Sequence, residues 1–91
     1  AADHGCQIIN CSWGGTGGSQ FGQNIVDYAT FNMNSLVVAA AGNNDLELVF
    51  YPAAYNNVIN VGGSDSTDKK WDNPNVANNG SNYGIFFADI F

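Results

Sequence analysis

The segment Ser35-Leu36-Val37-Val38-Ala39-Ala40-Ala41-Gly42-Asn43-Asn44 carries the clearest structural signal in the chain. Its unbroken run of small and β-branched apolar residues predicts a strand that is buried on both faces of a parallel sheet. In such sheets, ligands bind just beyond the carboxyl ends of the strands. The carboxamide of Asn43, next to a glycine, could therefore aim an N–H donor at a substrate oxygen and stabilise an oxyanion. The alternative interpretation is that Asn43 only adopts a left-handed backbone turn, which asparagine tolerates.

Two further apolar runs and one helix extend this strand into an α/β unit. Residues 8–13 and 58–61 predict two more buried strands. Apolar residues at helical spacing predict a helix over residues 19–33, with Ser19 as its N-cap and Asn34 ending it in the left-handed region. Strand, glycine-rich turn, helix and strand form a right-handed βαβ unit. We therefore expect a parallel sheet of about three core strands, one main helix and long loops.

The composition limits the classes of partner. The chain has 91 residues, enough for one domain at most, and a net charge of −6, with Lys69 and Lys70 as its only lysine or arginine residues. So acidic a chain has no surface that neutralises phosphates, and we expect neither nucleic acid nor an anionic membrane as a partner. No apolar run reaches the roughly 18 residues of a membrane span. Abundant asparagine with few cationic residues favours an extracellular, secreted protein.

The two cysteines, Cys6 and Cys11, are expected to be reduced and buried. If residues 6–11 are extended, they span roughly 16 Å. A disulfide bond tolerates Cα atoms only about 7 Å apart. Two free, buried small residues are therefore the favoured state. Together with His4 they make a poor zinc site, because three ligands separated by strand geometry do not converge.

The predicted sheet has too few covering elements for its apolar strands. Doubly buried strands need helices on both faces, whereas the sequence predicts one main helix. Residues 1–5 resemble the end of a helix, and residues 85–91 predict a short apolar strand. We therefore interpret residues 1–91 as a piece of a larger α/β domain, which alone would expose a broad apolar surface. The long connection 43–57 is of the kind that binds or catalyses.

Nucleotide and metal motifs are incomplete. The glycine-rich turn at residues 14–18 does not match Gly-x-Gly-x-x-Gly, because Gln20 stands at the last position, and no P-loop lysine follows. A flavodoxin-like nucleotide-binding domain is therefore a weak alternative. Asp65, Asp68 and Asp72 lack the spacing and the glycine of an EF-hand, so we interpret them as a solvated acidic loop.

Several motifs, in their order and spacing, resemble the subtilisin-like serine proteases, the subtilases. They are Ser12-Trp13-Gly14-Gly15, Ala40-Ala41-Gly42-Asn43, Tyr51-Pro52-Ala53-Ala54-Tyr55, Val61-Gly62-Gly63-Ser64-Asp65, Ser81-Asn82-Tyr83-Gly84 and Ala88-Asp89-Ile90. The resemblance runs from Gly5 to Phe91. It implies that residues 1–91 are the central fragment of a subtilase catalytic domain, whose parallel sheet lies in a three-layer α/β fold, and that the parent protein is a serine endopeptidase.

The resemblance also implies roles for individual residues in binding and cleaving a peptide or protein substrate. Asn43 matches the oxyanion-hole asparagine of the family. The substrate-binding positions are Ser12, Trp13, Gly14, Gly15, Ala41, Gly42 and Ala53. The backbone of residues 12–15 would pair with an extended substrate, which requires glycines for close approach. Gly42 and Ala53 would wall the pocket for the residue before the cleaved bond and leave room for a large apolar side chain, while Trp13 would edge a more distant pocket.

A calcium ion is the one cofactor that the resemblance suggests. Its ligands would be backbone carbonyls of Tyr55 or Asn56 and of Val58, with the carboxylate of Asp89. Oxygen-only ligands suit calcium. The alternative is an ordinary solvated Asp89 beside loop carbonyls that bind no metal.

The chain departs from the family pattern in its catalytic residues. Subtilases need a serine, a histidine and an aspartate in signatures of the type Asp-Thr/Ser-Gly, His-Gly-Thr and Gly-Thr-Ser-Met-Ala, none of which occurs here. His4 lies in the predicted turn before the first strand, where a catalytic role is not expected. Several extra residues also separate Lys70 from Ser81. We therefore expect the fragment to be inactive alone and to need the remainder of the peptidase domain; the alternative is a non-catalytic peptide-binding pseudoprotease module.

Overall fold

The computed structural model describes residues 1–84 and 89–91. The predicted C-terminal strand at 85–91 falls largely outside the described residues. The elements, in chain order, are a single 3₁₀ turn at Ala2–His4, β1 (Ile8–Cys11), α1 (Gln20–Asp27), a π-helical turn at Tyr28–Asn32, β2 (Leu36–Ala40) and β3 (Val58–Val61). The three strands form one parallel sheet in the order β1-β2-β3. The predicted α/β fold is confirmed.

The helix begins where the sequence predicts and ends in an unexpected way. Ser19 has an extended backbone, and its Oγ accepts a hydrogen bond from the Gly22 N–H at 3.0 Å, which satisfies one of the free donors of the first turn. Asn34 is left-handed, with φ at 53°, as expected. The helical segment extends to Asn32, close to the predicted end, but its last turn widens into a π-helical turn in which the Met33 N–H donates to the Tyr28 carbonyl at 3.1 Å.

Only one face of the sheet is covered by described residues. The buried core consists of Val26 and Ala29 from the helical segment with Cys11, Val37, Ala39, Ala53 and Val58. The other face, here called the open face, carries the side chains of Ile8, Leu36, Val38, Ala40, Ile59 and Val61. None of these six is buried, and Ile8 is 68% exposed. Within the described residues, the apolar exposure expected of a piece of a larger α/β domain is therefore confirmed.

The two cysteines differ in their surroundings. Both are free thiols. Cys11 is buried at the end of β1, and its burial raises the pKa of the thiol. Cys6 is exposed, which corrects the prediction that both are buried, because it lies in the connection between the 3₁₀ turn and β1 and not in the strand.

A loop of residues 64–80 follows β3 and folds back toward the end of β2. Isolated bridges pair Ser64 with Lys70 and Asp72 with Gly80. The Asp65 carboxylate accepts hydrogen bonds from the Thr67 hydroxyl and N–H, both at 2.7 Å, and these bonds lower the pKa of Asp65. The interpretation of this region as a hydrated acidic loop fits the exposure of Asp72. In the described part of the chain, no helix has the length and apolar character that crossing a membrane requires.

Candidate functional site

A cleft of about 290 Å³ opens at the carboxyl ends of the strands, beside the open face. Its lining includes Ser12 after β1 and Ala41, Gly42 and Asn43 after β2. Ala41 and Gly42 are buried, whereas Asn43 is exposed. The structure therefore brings the predicted oxyanion donor and three of the predicted substrate-binding residues to one cleft.

The backbone around Asn43 excludes the simpler explanation for this asparagine. The left-handed residues of the turn are Gly42, with φ at 100°, and Asp45, with φ at 52°, and Asn43 is not left-handed. The interpretation of Asn43 as a backbone turn former is therefore wrong. Among residues 1–84 and 89–91, no hydrogen bond occupies its side-chain amide. That amide is available to donate to a ligand in the cleft.

The turn that carries Asn43 rests on a buried asparagine, Asn82. The Asn82 side chain donates to the Ala41 carbonyl at 2.8 Å, and its Oδ1 accepts from the Asn44 N–H at 2.9 Å. Asn82 is fully buried. The sequence predicts Asn82 only as part of the Ser81-Asn82-Tyr83-Gly84 motif, because no local pattern distinguishes a buried loop asparagine from a hydrated one.

A second segment, around Tyr51, pairs with the predicted substrate-binding residues that follow β1. β1 is expected to run to Trp13 but ends at Cys11, and Gly15 then pairs with Tyr51 through two backbone hydrogen bonds of 2.8 and 2.7 Å. The Tyr51–Pro52 peptide bond is cis. A Cβ atom on Gly14 would collide with the Tyr51 carbonyl oxygen, so the close approach of these backbones requires glycine. The segment 12–15, which is predicted to pair with substrate, is thus held at its Gly15 end by hydrogen bonds to Tyr51.

The aromatic ring of Phe50 lies close to the backbone of both Gly14 and Gly42. A Cβ built on Gly14 would lie 2.7 Å from Phe50 Cε1, and one built on Gly42 would lie 3.2 Å from Phe50 Cγ. Ala53, which is predicted to form the pocket together with Gly42, is 2% exposed and belongs to the core cluster. The half-buried ring of Phe50 therefore lies beside Gly42, one of the two residues predicted to form the substrate pocket.

Trp13 lies on an apolar cavity on the helix side of the sheet. The cavity measures about 550 Å³, and α1 contributes Ile25 and Val26 to it while the segment after Phe50 contributes Tyr51 and Pro52. Trp13 is 67% exposed. This position agrees with an edge residue of a second pocket, separate from the cleft at Asn43.

The residues of the suggested calcium site come together in a third, polar cavity. It measures about 240 Å³, and its lining includes Tyr55, Asn56, Val58, Asn60 and Asp89. One carboxylate oxygen of Asp89 already accepts a hydrogen bond from the Asn60 N–H at 2.7 Å. The donor set contains only oxygen atoms and one carboxylate, which fits a weakly bound calcium ion. Within the described residues, no cluster of three or more His, Cys, Asp or Glu side chains could hold a metal.

The loop that forms this cavity is fixed to the helix. The Ser19 N–H donates to the Tyr55 hydroxyl at 3.0 Å. Gln23 donates to the Asn56 carbonyl at 3.1 Å and accepts from the Asn56 N–H at 2.9 Å. His4, by contrast, is exposed in the 3₁₀ turn that precedes the amino end of β1, away from the carboxyl-end cleft, as expected.

A parallel α/β sheet with a cleft at the carboxyl ends of its strands is the arrangement in which open α/β folds bind their ligands. The chain belongs to the subtilase family, whose family model matches residues 1–90.

Individual relatives agree with this assignment. A thermophilic serine proteinase from Bacillus sp. strain AK1 is 48% identical over 69 residues, which cover 76% of this chain and 17% of that protein. Thermitase from Thermoactinomyces vulgaris is 47% identical over 70 residues, which cover 77% of this chain and 25% of that protein. The crystal structure of the psychrophilic subtilisin-like protease Apa1 from Pseudoalteromonas sp. AS-11 superimposes with a TM-score of 0.76 at 27% identity, covering 97% of this chain and 18% of that one. The chain therefore spans a quarter or less of the length of these relatives.

Proposed function

We propose that residues 1–91 are the central part of a serine endopeptidase domain and supply the oxyanion donor and part of the substrate-binding surface. The observation that carries this proposal is the free amide of Asn43, exposed in the cleft next to the left-handed Gly42. During attack on a peptide carbonyl, negative charge develops on the carbonyl oxygen. A fixed N–H donor stabilises that charge more than it stabilises the substrate, and it therefore lowers the barrier.

The nucleophile, the base and the orienting carboxylate must come from other segments, since their signatures are absent from these 91 residues. In this proposal the described residues bind and orient, and the triad performs the covalent step. The open face supports the arrangement, because its six apolar side chains are not fully buried by the described residues and would be buried by a covering layer. We propose that the remainder of the peptidase domain is that layer and that the chain is inactive without it.

The backbone of residues 12–15 would bind the substrate as an added strand. Gly15 already uses its N–H and carbonyl on Tyr51. The substrate would therefore pair with the part of the segment nearer β1, where Ser12 lines the cleft and Trp13 is exposed. Such binding depends on main-chain hydrogen bonds, so it suits peptides and unfolded protein segments.

Calcium binding and secretion are two further parts of the proposal. The convergence of Tyr55, Asn56, Val58 and Asp89 on one polar cavity supports a structural calcium ion held mainly by carbonyls. The acidic, asparagine-rich composition with two lysines and no arginine supports an extracellular location.

The experiment that tests the proposed function is the substitution Asn43→Ala in the complete protein that contains this chain. We expect kcat for a chromogenic peptide to fall by about 10²–10³-fold with KM nearly unchanged, a value that comes from the corresponding substitution in a subtilisin. Asn44→Ala is the matched control, because Asn44 is also exposed in the same turn and its contact to Asn82 uses the backbone N–H. An unchanged kcat in Asn43→Ala would refute the oxyanion role. A complete protein that binds peptides without cleaving them would favour the pseudoprotease alternative.

A further inference from the structure

One buried side chain holds both flanks of the Asn43 turn. The Asn82 amide nitrogen donates to the Ala41 carbonyl at 2.8 Å, and its backbone N–H donates to the Gly42 carbonyl at 2.9 Å. Its Oδ1 accepts from the N–H groups of Asn44 at 2.9 Å and Leu46 at 3.3 Å. The four contacts reach the two residues before Asn43 and two of the three residues after it. Asn43 itself receives none of them and stays free for a ligand.

The burial of Asn82 makes these contacts rigid. Its side chain has 0% exposure, so no water competes for the amide. A buried amide without these partners would cost free energy, and the turn therefore has one favoured position relative to Asn82. A Cβ atom on Gly42 would collide with the Asn82 amide nitrogen, which shows how closely the side chain fits beneath the turn.

The other supports of the turn are weaker or more distant. Lys70 forms an ion pair with Asp45, but both side chains are 31% exposed, and exposed pairs contribute little. The Asp45 N–H donates to the Gly80 carbonyl at 2.9 Å, on the far side of the turn from Gly42. Among residues 1–84 and 89–91, only Asn82 forms hydrogen bonds to the backbone on both sides of Asn43.

We propose that Asn82 is a positioning residue for the oxyanion donor: it fixes the backbone of residues 41–46 so that the Asn43 amide meets the developing charge. This inference rests on the proposed function of Asn43. A donor works at full strength only when it is fixed in place before the reaction, and a misplacement of about 1 Å can cost about 10²-fold in rate. Loss of Asn82 should therefore reduce transition-state stabilisation and leave ground-state binding nearly intact.

The experiment compares Asn82→Leu and Asn82→Ser with the parent in the complete protein, with kcat normalised to the concentration of titrated active sites. Leucine has a similar size and no hydrogen-bonding group. Serine is smaller, fits the same space and keeps the test available if the leucine variant does not fold. We expect kcat to fall by about 10- to 100-fold with KM changed less than about threefold. Ser81→Ala is the control, since Ser81 is equally buried and its hydroxyl accepts from the Gly63 N–H at 2.7 Å and donates to the Asn82 backbone carbonyl at 3.1 Å, while neither bond reaches residues 41–46. It should lower the melting temperature with little change in kcat.

A double substitution separates this inference from the proposed function. If Asn82 acts through Asn43, adding Asn82→Ser to Asn43→Ala should reduce kcat by less than about twofold further. If Asn82→Ser lowers kcat as much in the Asn43→Ala background as in the parent, the positioning role is refuted and Asn82 contributes only to general stability. An equal fall in kcat in Asn82→Ser and Ser81→Ala would refute it in the same way. If Asn43→Ala reduces kcat and Asn82→Ser does not, only the positioning role fails. If Asn43→Ala leaves kcat unchanged, the proposed oxyanion role of Asn43 is refuted, and the positioning role of Asn82 that rests on it is refuted as well.

Discussion

The most discriminating prediction concerns Phe50 and the size of the substrate side chain next to the cleaved bond. Phe50 occupies the space between Gly14 and Gly42, with ring atoms 2.7 and 3.2 Å from where a Cβ on each would lie. With this ring in place, the pocket should favour small substrate residues. The substitution Phe50→Ala removes the ring and leaves a space of about its own size between the two glycines.

The expected magnitude follows from the burial of one aromatic side chain. Full burial of a phenylalanine side chain contributes about 1.5–3 kcal/mol relative to leaving it in water. At a factor of ten for each 1.4 kcal/mol or so, this corresponds to about 10- to 150-fold. We compare two substrates, one with phenylalanine and one with alanine before the cleaved bond. We expect Phe50→Ala to raise the ratio of their kcat/KM values, phenylalanine over alanine, by that factor.

The assay uses two chromogenic peptides that differ only in the residue before the cleaved bond, with the complete protein as enzyme. The ratio of the two kcat/KM values cancels any difference in the folded fraction. Phe21→Ala is the matched control, because Phe21 is 74% exposed on α1 and lines neither pocket wall. A ratio that changes less than twofold in Phe50→Ala, or equally in both variants, would show that Phe50 does not fill this pocket.

Two further predictions concern the metal cavity and the second pocket. Calcium should raise the melting temperature of the complete protein. The substitution Asp89→Asn removes the single carboxylate of the cavity and should reduce that rise. An equal rise in the parent and the variant would show that calcium does not bind in this cavity. Trp13→Leu should change the preference for peptide length and for large residues distant from the cleaved bond, because Trp13 edges the apolar cavity, and identical profiles for a set of peptides of increasing length would rule out that role.

The regular elements were accessible from the sequence because local patterns determine them. The apolar runs at 36–40 and 58–61 are strands, and Ser19 caps the helix as its side-chain chemistry predicts. The early end of β1 was not accessible, since it depends on Tyr51, a residue far along the chain with which Gly15 pairs. The widened turn at Tyr28–Asn32 also left no pattern that separates it from an ordinary helix.

The candidate site divides in the same way. The position of Asn43 in the cleft was predictable because this residue follows a recognisable strand at the end where parallel sheets bind ligands. Asn82 and Phe50 were not, because their roles depend on which distant backbone each side chain meets in the folded chain. A buried loop asparagine and an aromatic ring packed between two glycines differ from an exposed asparagine and an exposed ring only in their tertiary contacts.

The open face also bears on how this polypeptide gains its structure in the cell. Parallel strands join segments that are far apart along the chain, so the sheet assembles slowly compared with a helical hairpin. Until a second layer arrives, Ile8 and Leu36 stay accessible to other nascent chains and to holdase chaperones. Folding of the intact protein should therefore depend on chaperone supply, and substitutions on this face should reduce the yield of folded protein more than they reduce the specific activity of the molecules that fold.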